Sequence, residues 1–107
     1  MNKELKVLKN NENKYYINII IEVIIDPVVN YSIFNSESHI NYISEILNIP
    51  IIQMLNIYSN HNACIIKKLR TLDFLMGYDA IFNNQEDAQN VIDEIESLLI
   101  MQKLEKQ

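Results

Sequence analysis

Apolar and polar residues alternate most regularly between residues 15 and 25. Every odd-numbered position in this stretch is aliphatic or aromatic, whereas Asn18 and Glu22 lie on the even-numbered face. A period of two, together with β-branched side chains, predicts a strand whose odd-numbered face lies in the core. Pro27 ends the strand because proline cannot donate a hydrogen bond to a neighbouring strand. Residues 28–34 then predict a return strand.

A helix–Pro–helix unit is predicted next. Ser36 is suited to cap a helix that extends to about Asn48. Apolar residues recur along one face of this helix at helical spacing: Ile40, Ile43, Ile46 and Leu47. Pro50 ends the helix, and residues 51–58 predict a short second helix because proline is well tolerated in a first turn.

The remainder of the chain predicts two strands and a long helix. The strands cover residues 63–69 and 75–82, and the only glycine, Gly77, marks a bulge or bend. The helix is predicted from about residue 85 to residue 103, with Asn83 or Asn84 as its cap. Its apolar stripe consists of Ala88, Val91, Ile92, Ile95 and Leu99.

Together these elements predict an α+β fold. We expect a small antiparallel sheet with the helix–Pro–helix unit and the long C-terminal amphipathic helix packed on one face. A chain of 107 residues suits one domain, which we assign to residues 15–107. Residues 1–14 are polar and predict a flexible or loosely docked leader, frayed or loosely helical.

Composition bears on where the protein acts. The single cysteine, Cys64, excludes an internal disulfide framework and favours a cytoplasmic location. The longest apolar run, residues 19–25, contains Glu22 and is far shorter than a membrane span. The chain has 20 isoleucines and 15 asparagines, as expected of an AT-rich genome: that of a bacterium, phage, plasmid, organelle or parasite.

The charged residues are unevenly distributed. The formal net charge is −5, and neither residues 15–66 nor residues 71–102 contain a lysine or arginine. Proteins that bind nucleic acid through its phosphates need clustered basic residues. Direct nucleic-acid binding is therefore disfavoured, and so is a phosphate-binding loop, because the chain has one glycine.

Few residues are candidates for catalysis or metal binding. Cys64, His39 and His61 are the only thiol and imidazole groups. A Cys–His pair needs its side chains within hydrogen-bond reach, and a zinc site needs four ligands. The simplest interpretation is a buried Cys64 and a turn His61, so we predict no catalytic, cofactor-binding or metal-ligating residue.

The helix–Pro–helix unit is similar to a helix-turn-helix. Ser44 lies where the two helices would touch, Asn48 lies where the turn usually has glycine, and Met54 and Ile57 have the apolar spacing of a second helix. The two strands and final helix follow as in winged-helix proteins. This resemblance implies a DNA-binding transcriptional regulator, yet residues 51–58 offer no lysine or arginine to bases or phosphates.

Acidic residues predict a partner-binding face. It consists of Asp79, Glu86, Asp87, Asp93 and Glu94. Such a face imitates a phosphate backbone and speeds the encounter with a basic partner. Acidic helix faces also serve solubility alone, and that interpretation stays open.

The last turns of the final helix predict a second surface. At about 100° per residue, Ile100, Met101 and Leu104 fall on the side opposite the apolar stripe. Monomeric helices have little reason to expose three such side chains together. Either the helix ends near Leu99 and the chain folds back, or these residues meet a partner or a second copy in a homodimer.

The leading functional hypothesis is a non-catalytic protein-binding module. In its concrete form the protein comes from a phage or other mobile element and acts in the host cytoplasm. There its acidic surface inhibits a host defence or nucleic-acid-processing complex, whose own nucleic-acid-binding surface is basic. The alternatives are a winged-helix-like DNA-binding transcriptional regulator and a small enzyme that uses Cys64 or a histidine.

Overall fold

A computed structural model describes residues 2–26, 29–34, 40–70 and 75–105 of the chain. The elements are β1 (Asn2–Lys9), β2 (Tyr15–Asp26), β3 (Val29–Phe34), α1 (Ile40–Leu47), α2 (Ile51–Asn60), β4 (Cys64–Arg70), β5 (Leu75–Ile81) and α3 (Gln85–Glu105). The protein is an α+β structure with antiparallel strands and a long C-terminal helix, as the sequence predicts. The predicted cap Ser36 lies outside the described residues.

The strands form two sheets rather than the single sheet that was expected. One has the order β1-β2-β3, and the other is the β4–β5 hairpin. Tyr15 and Phe82 join the two sheets through a bridge in which each backbone N–H donates to the other residue's carbonyl, at 2.9 and 2.8 Å. β3 pairs with β2 only from Ile20 onward, so the first residue of β2 is available to this bridge.

β1 corrects the prediction for the first residues of the chain. The segment is a strand rather than a loosely helical leader, and it pairs with β2 along its whole length, from Asn2↔Glu22 to Lys9↔Tyr15. Leu5 is buried beside Ile19.

The lysines of this segment favoured the prediction of a leader. They are also typical of an edge strand. Lys3, Lys6 and Lys9 are exposed, and charged side chains at a sheet edge discourage pairing with other chains. The Lys3 ammonium also donates to the Ile46 carbonyl at 3.2 Å, which ties β1 to α1.

The turn between α1 and α2 shows how the helix–Pro–helix unit closes. Asn48 has a φ of 56°, a left-handed conformation that asparagine tolerates better than most residues. Ser44 is buried, and its hydroxyl donates to the Ile49 carbonyl while the Ile49 N–H donates to the Ser44 carbonyl at 3.0 Å. Pro50 then precedes the first residue of α2.

The core lies among the two sheets and the described helices. α3 packs against β1, β2 and α2, α1 packs against α2 and β5, and α2 packs against β4. The largest fully buried side chains are Tyr58, Phe82, Ile17, Ile19, Ile40, Ile43, Ile49, Met54, Ile95 and Val91. Gly77 pairs in register with Lys68, so of the predicted bulge or bend the structure shows no bulge at this residue.

The start of α3 is capped as predicted. The Asp87 N–H donates to the Asn84 side-chain oxygen at 2.8 Å, and the Asn84 amide donates back to the Asp87 carboxylate at 3.0 Å. This reciprocal pair satisfies one of the unbonded N–H groups of the first turn. Among the described residues, no helix has the length and apolarity needed to cross a membrane.

Candidate functional site

The exposed apolar side chains concentrate at the end of α3. Among the described side chains, five large apolar ones are exposed: Ile52, Ile66, Ile100, Met101 and Leu104. The last three, called here the apolar patch, are 61, 58 and 63% exposed. Because α3 continues to Glu105, the chain does not fold back at Leu99 to cover them.

α3 exposes the patch because its last two turns carry these side chains on the side opposite the buried stripe. Its 21 residues span about 31 Å. Ala88, Val91, Ile92 and Ile95 are buried, Leu98 and Leu99 are half-buried, and Ile100, Met101 and Leu104 are exposed. The last two turns therefore present their apolar side chains to solvent.

Three carboxylates share the outer side of α3 with the apolar patch. Glu86, Asp93 and Glu94, called here the acidic helix face, are all exposed. Leu104 follows Glu86 by 18 residues, or about five turns, so the two side chains project in the same direction. The outer side of α3 is thus acidic over its first turns and apolar over its last.

The other two predicted acidic residues make contacts within the molecule. Asp87 is half-buried in the helix cap with Asn84. Asp79 lies on β5, where its carboxylate is 3.0 Å from the Lys68 ammonium of β4. Asp79 therefore has an ionic partner on the neighbouring strand, and Asp87 has a local structural role.

The neighbours of the acidic helix face are uncharged or only conditionally charged. The Gln89 amide donates to the Asp93 carboxylate at 3.0 Å. His61, which follows α2, has its Nε2 atom 3.7 Å from a Glu94 carboxylate oxygen, and this buried nitrogen has no hydrogen-bond partner among the described residues. The contact ties the end of α2 to α3 and adds a positive charge beside Glu94 only when the imidazole is protonated.

The candidate catalytic residues do not converge on one site in the described part of the chain. Cys64 is exposed rather than buried, because it lies on the same outward-facing side of β4 as Ile66 and Lys68. The contact shown for the imidazole of His61 is with Glu94. The described residues contain no group of three metal-binding side chains, and His39 lies outside them.

The helix-turn-helix resemblance corresponds to a real α1–turn–α2 unit followed by the β4–β5 hairpin. The outward side of α2 carries Ile52, Gln53, Asn56, Ser59 and Asn60, all exposed and uncharged. Lys67 and Lys68 are exposed on the hairpin. The exposure of Ile52, at 67%, was not predicted, although its position 200° from buried Met54 on an ideal helix indicates it.

Comparison of the chain with family models, curated proteins and solved structures finds no match.

Proposed function

We propose that this protein is a non-catalytic protein-binding module whose docking surface is the outer side of α3. The observation that carries the proposal is the apolar patch: Ile100, Met101 and Leu104 are exposed together on the side of α3 that faces away from the core. Burying a side chain of this size contributes roughly 1.5–3 kcal/mol. Three of them at the centre of an interface supply a large part of a specific affinity.

The acidic helix face indicates the chemistry of the partner. Glu86, Asp93 and Glu94 attract a basic surface and speed its encounter with α3, more strongly at low salt. Proteins that process nucleic acid carry such surfaces. We therefore propose that the protein, encoded by a phage or other mobile element, inhibits a host defence or nucleic-acid-processing complex in the cytoplasm.

Affinity capture from host lysate with matched variants tests the apolar patch. The triple variant Ile100→Asn, Met101→Gln, Leu104→Asn should lose the partner that the wild-type protein captures. The control is Ile52→Asn, which removes an equally exposed apolar side chain from α2 and should retain it. Loss with both variants or with neither contradicts the proposed surface.

Charge reversal tests the acidic helix face separately. Glu86→Lys, Asp93→Lys and Glu94→Lys together should slow association with the captured partner by at least tenfold at low salt and by less at high salt. Surface plasmon resonance at two ionic strengths measures this. If the variant retains every partner with unchanged association rates, the acidic face has no role in docking.

A winged-helix-like DNA-binding regulator is the second candidate. It is supported by the α1–turn–α2 unit, with Asn48 at a φ of 56°, and by a following hairpin that exposes Lys67 and Lys68. Gln53 and Asn56 on the outward side of α2 are of the type that pairs with adenine. A mobility-shift assay at low salt decides between the candidates. A shift that Gln53→Ala and Asn56→Ala abolish favours this one, and no shift with any DNA removes it.

A further inference from the structure

We infer that the partner docks on α3 with a basic amphipathic helix. The inference rests on the proposed function, and it specifies what occupies the outer side of α3. One row of exposed residues carries it, called here the outer seam: Glu86, Asn90, Asp93, Ser97, Ile100 and Leu104.

The spacing of the outer seam matches that of a helix-packing surface. Its members follow one another at intervals of four, three, four, three and four residues. This is the spacing along which a second helix packs its side chains between those of the first. Small Ser97 lies beside the apolar patch, where it leaves room for a side chain from the occupant.

The order of acidic and apolar residues along the outer seam defines the helix that would complement it. Asp93 and Leu104 are about 16 Å apart along the axis, and Glu86 and Leu104 are about 27 Å apart. The occupant therefore needs apolar residues over about two turns and basic residues on the same face two to five turns away. The interface would then pair carboxylates with cations and apolar side chains with apolar side chains.

A second copy of the chain fits this surface poorly. In a parallel pair, Glu86 and Asp93 face their own copies, and like charges repel. In an antiparallel pair centred on residue 95, Glu86 faces Leu104 and Asn90 faces Ile100, which removes a carboxylate from water without a cation. If only the last turns of two copies overlap, the patch is buried. The buried area is then smaller than the roughly 800 Å² per partner that a standard interface buries.

The negative charge of α3 also disfavours nucleic acid or an anionic lipid surface as the occupant. α3 has no lysine or arginine before Lys103, while Glu96 adds a fourth exposed carboxylate. Nucleic acid and anionic lipid surfaces both require positive charge for binding. A cationic helix neutralises these carboxylates and covers the patch in one interface.

Titration of the full-length protein with synthetic peptides tests the inference. The probe is an amidated peptide of about six turns, with Leu at the seam positions of two turns and Lys at those of the others. One control peptide replaces each Lys with Glu, and another has the probe's composition in an order without a helical face. Anisotropy of a labelled probe gives Kd, and circular dichroism reports the helix that the probe gains on binding.

Two protein variants identify the surface that the probe uses. Ile100→Asn with Leu104→Asn, and Glu86→Gln with Asp93→Asn, should each weaken binding of the probe by at least tenfold. The matched control for charge is Glu4→Gln with Glu12→Gln, which changes net charge equally on exposed residues that do not belong to α3. The control for apolar exposure is Ile52→Asn. Unchanged thermal unfolding and circular dichroism show that each variant is folded.

The outcomes separate the inference from the proposed function. Equal binding of the probe and either control peptide, or probe binding that the seam variants do not weaken, overturns the inference. So does a concentration-dependent dimer that dissociates when the apolar patch is substituted, because the occupant is then a second copy. If a captured partner depends on the patch while the probe does not bind, the proposed function stands and the helical occupant is wrong.

Discussion

In this protein asparagine residues adopt the left-handed backbone conformation that glycine adopts in many proteins. The positive φ values among the described non-glycine residues belong to Asn13, Asn48 and Asn62, at 61°, 56° and 62°. Each lies in a turn or loop between elements. The short polar side chain of asparagine tolerates this left-handed region because it hydrogen-bonds locally. An asparagine-rich chain with one glycine can therefore still form tight connections.

Asn48 provides the first test at the residue scale. Asn48→Ala should lower the free energy of unfolding by about 1 kcal/mol, because the alanine Cβ is unfavourable in the left-handed region. Asn48→Gly should cost less, since glycine adopts this region readily. Urea denaturation measures both. The matched control is Asn56→Ala on the exposed side of α2, which should change stability little. Equal effects of alanine and glycine at residue 48 would contradict the conformational explanation.

Tyr58 provides a second residue-scale test, through pH. It is fully buried against Phe82, with ring centroids 5.8 Å apart, and burial raises the pKa of its hydroxyl far above the ordinary value. The unfolded chain releases this proton near pH 10 and the folded protein does not. The contribution of this group to the free energy of unfolding is therefore fully present below about pH 10. Above pH 10 the free energy of unfolding decreases by about 1.4 kcal/mol per pH unit.

The measurement compares Tyr58→Phe with the wild-type protein in urea from neutral to alkaline pH. Their stability difference should stay constant up to about pH 10 and then shift in favour of the variant, which has no proton to release at this position. Parallel pH profiles for the two proteins would mean that the hydroxyl of Tyr58 titrates normally in the folded state.

At the scale of the elements, amphipathic patterns were predictable and the edge strand β1 was not. The alternation in residues 15–25 and the apolar stripe of α3 each identify an element, because burial on one side imposes a period. β1 carries the same signal only at Leu5 and Val7, among exposed lysines. β1 is held as a strand by its hydrogen bonds to β2, and the local sequence does not show this pairing. The composition of the segment therefore predicted a leader.

Leu5 tests the structural role of β1. Leu5→Ala should lower the free energy of unfolding by roughly 2–5 kcal/mol, the usual cost of removing a buried leucine side chain. Lys6→Ala, one residue away but exposed, should change it by less than about 0.5 kcal/mol. Denaturant unfolding followed by circular dichroism measures both. A Leu5→Ala protein as stable as the wild type would mean that residues 2–9 contribute nothing to the folded core.

At the scale of the whole molecule, the candidate site follows from which side of α3 faces the core. The sequence places Ile100, Met101 and Leu104 opposite the apolar stripe, but only the structure shows that α3 continues to Glu105 without folding back and leaves all three exposed. Likewise, the sequence identifies five acidic residues, whereas long-range contacts decide which remain available. Asp79 meets Lys68 across the hairpin through such a long-range contact, whereas Asp87 joins the local cap of its own helix with Asn84, which the sequence predicts as a cap.

Phe82 offers a test of how the two sheets are joined. Its backbone forms the bridge to Tyr15, and its buried ring packs on Tyr58 of α2, so one residue links the first sheet, the hairpin and the helices. Phe82→Ala should lower the free energy of unfolding by about 3–5 kcal/mol, whereas Phe82→Leu should cost much less because it retains most of the apolar volume. The backbone bridge is available to both variants.

Hydrogen exchange distinguishes loss of stability from loss of coupling. In the wild-type protein, the amides of β2 and of the hairpin should open with similar free energies, because the shared core makes the two sheets unfold together. In Phe82→Ala, the β4–β5 amides should exchange at lower free energy than those of β2. A two-stranded hairpin is marginal by itself in water, so it depends on this junction more than the three-stranded sheet does. Equal protection in both sheets of the variant would show that other contacts, such as α1 on β5 and α2 on β4, suffice to hold them together.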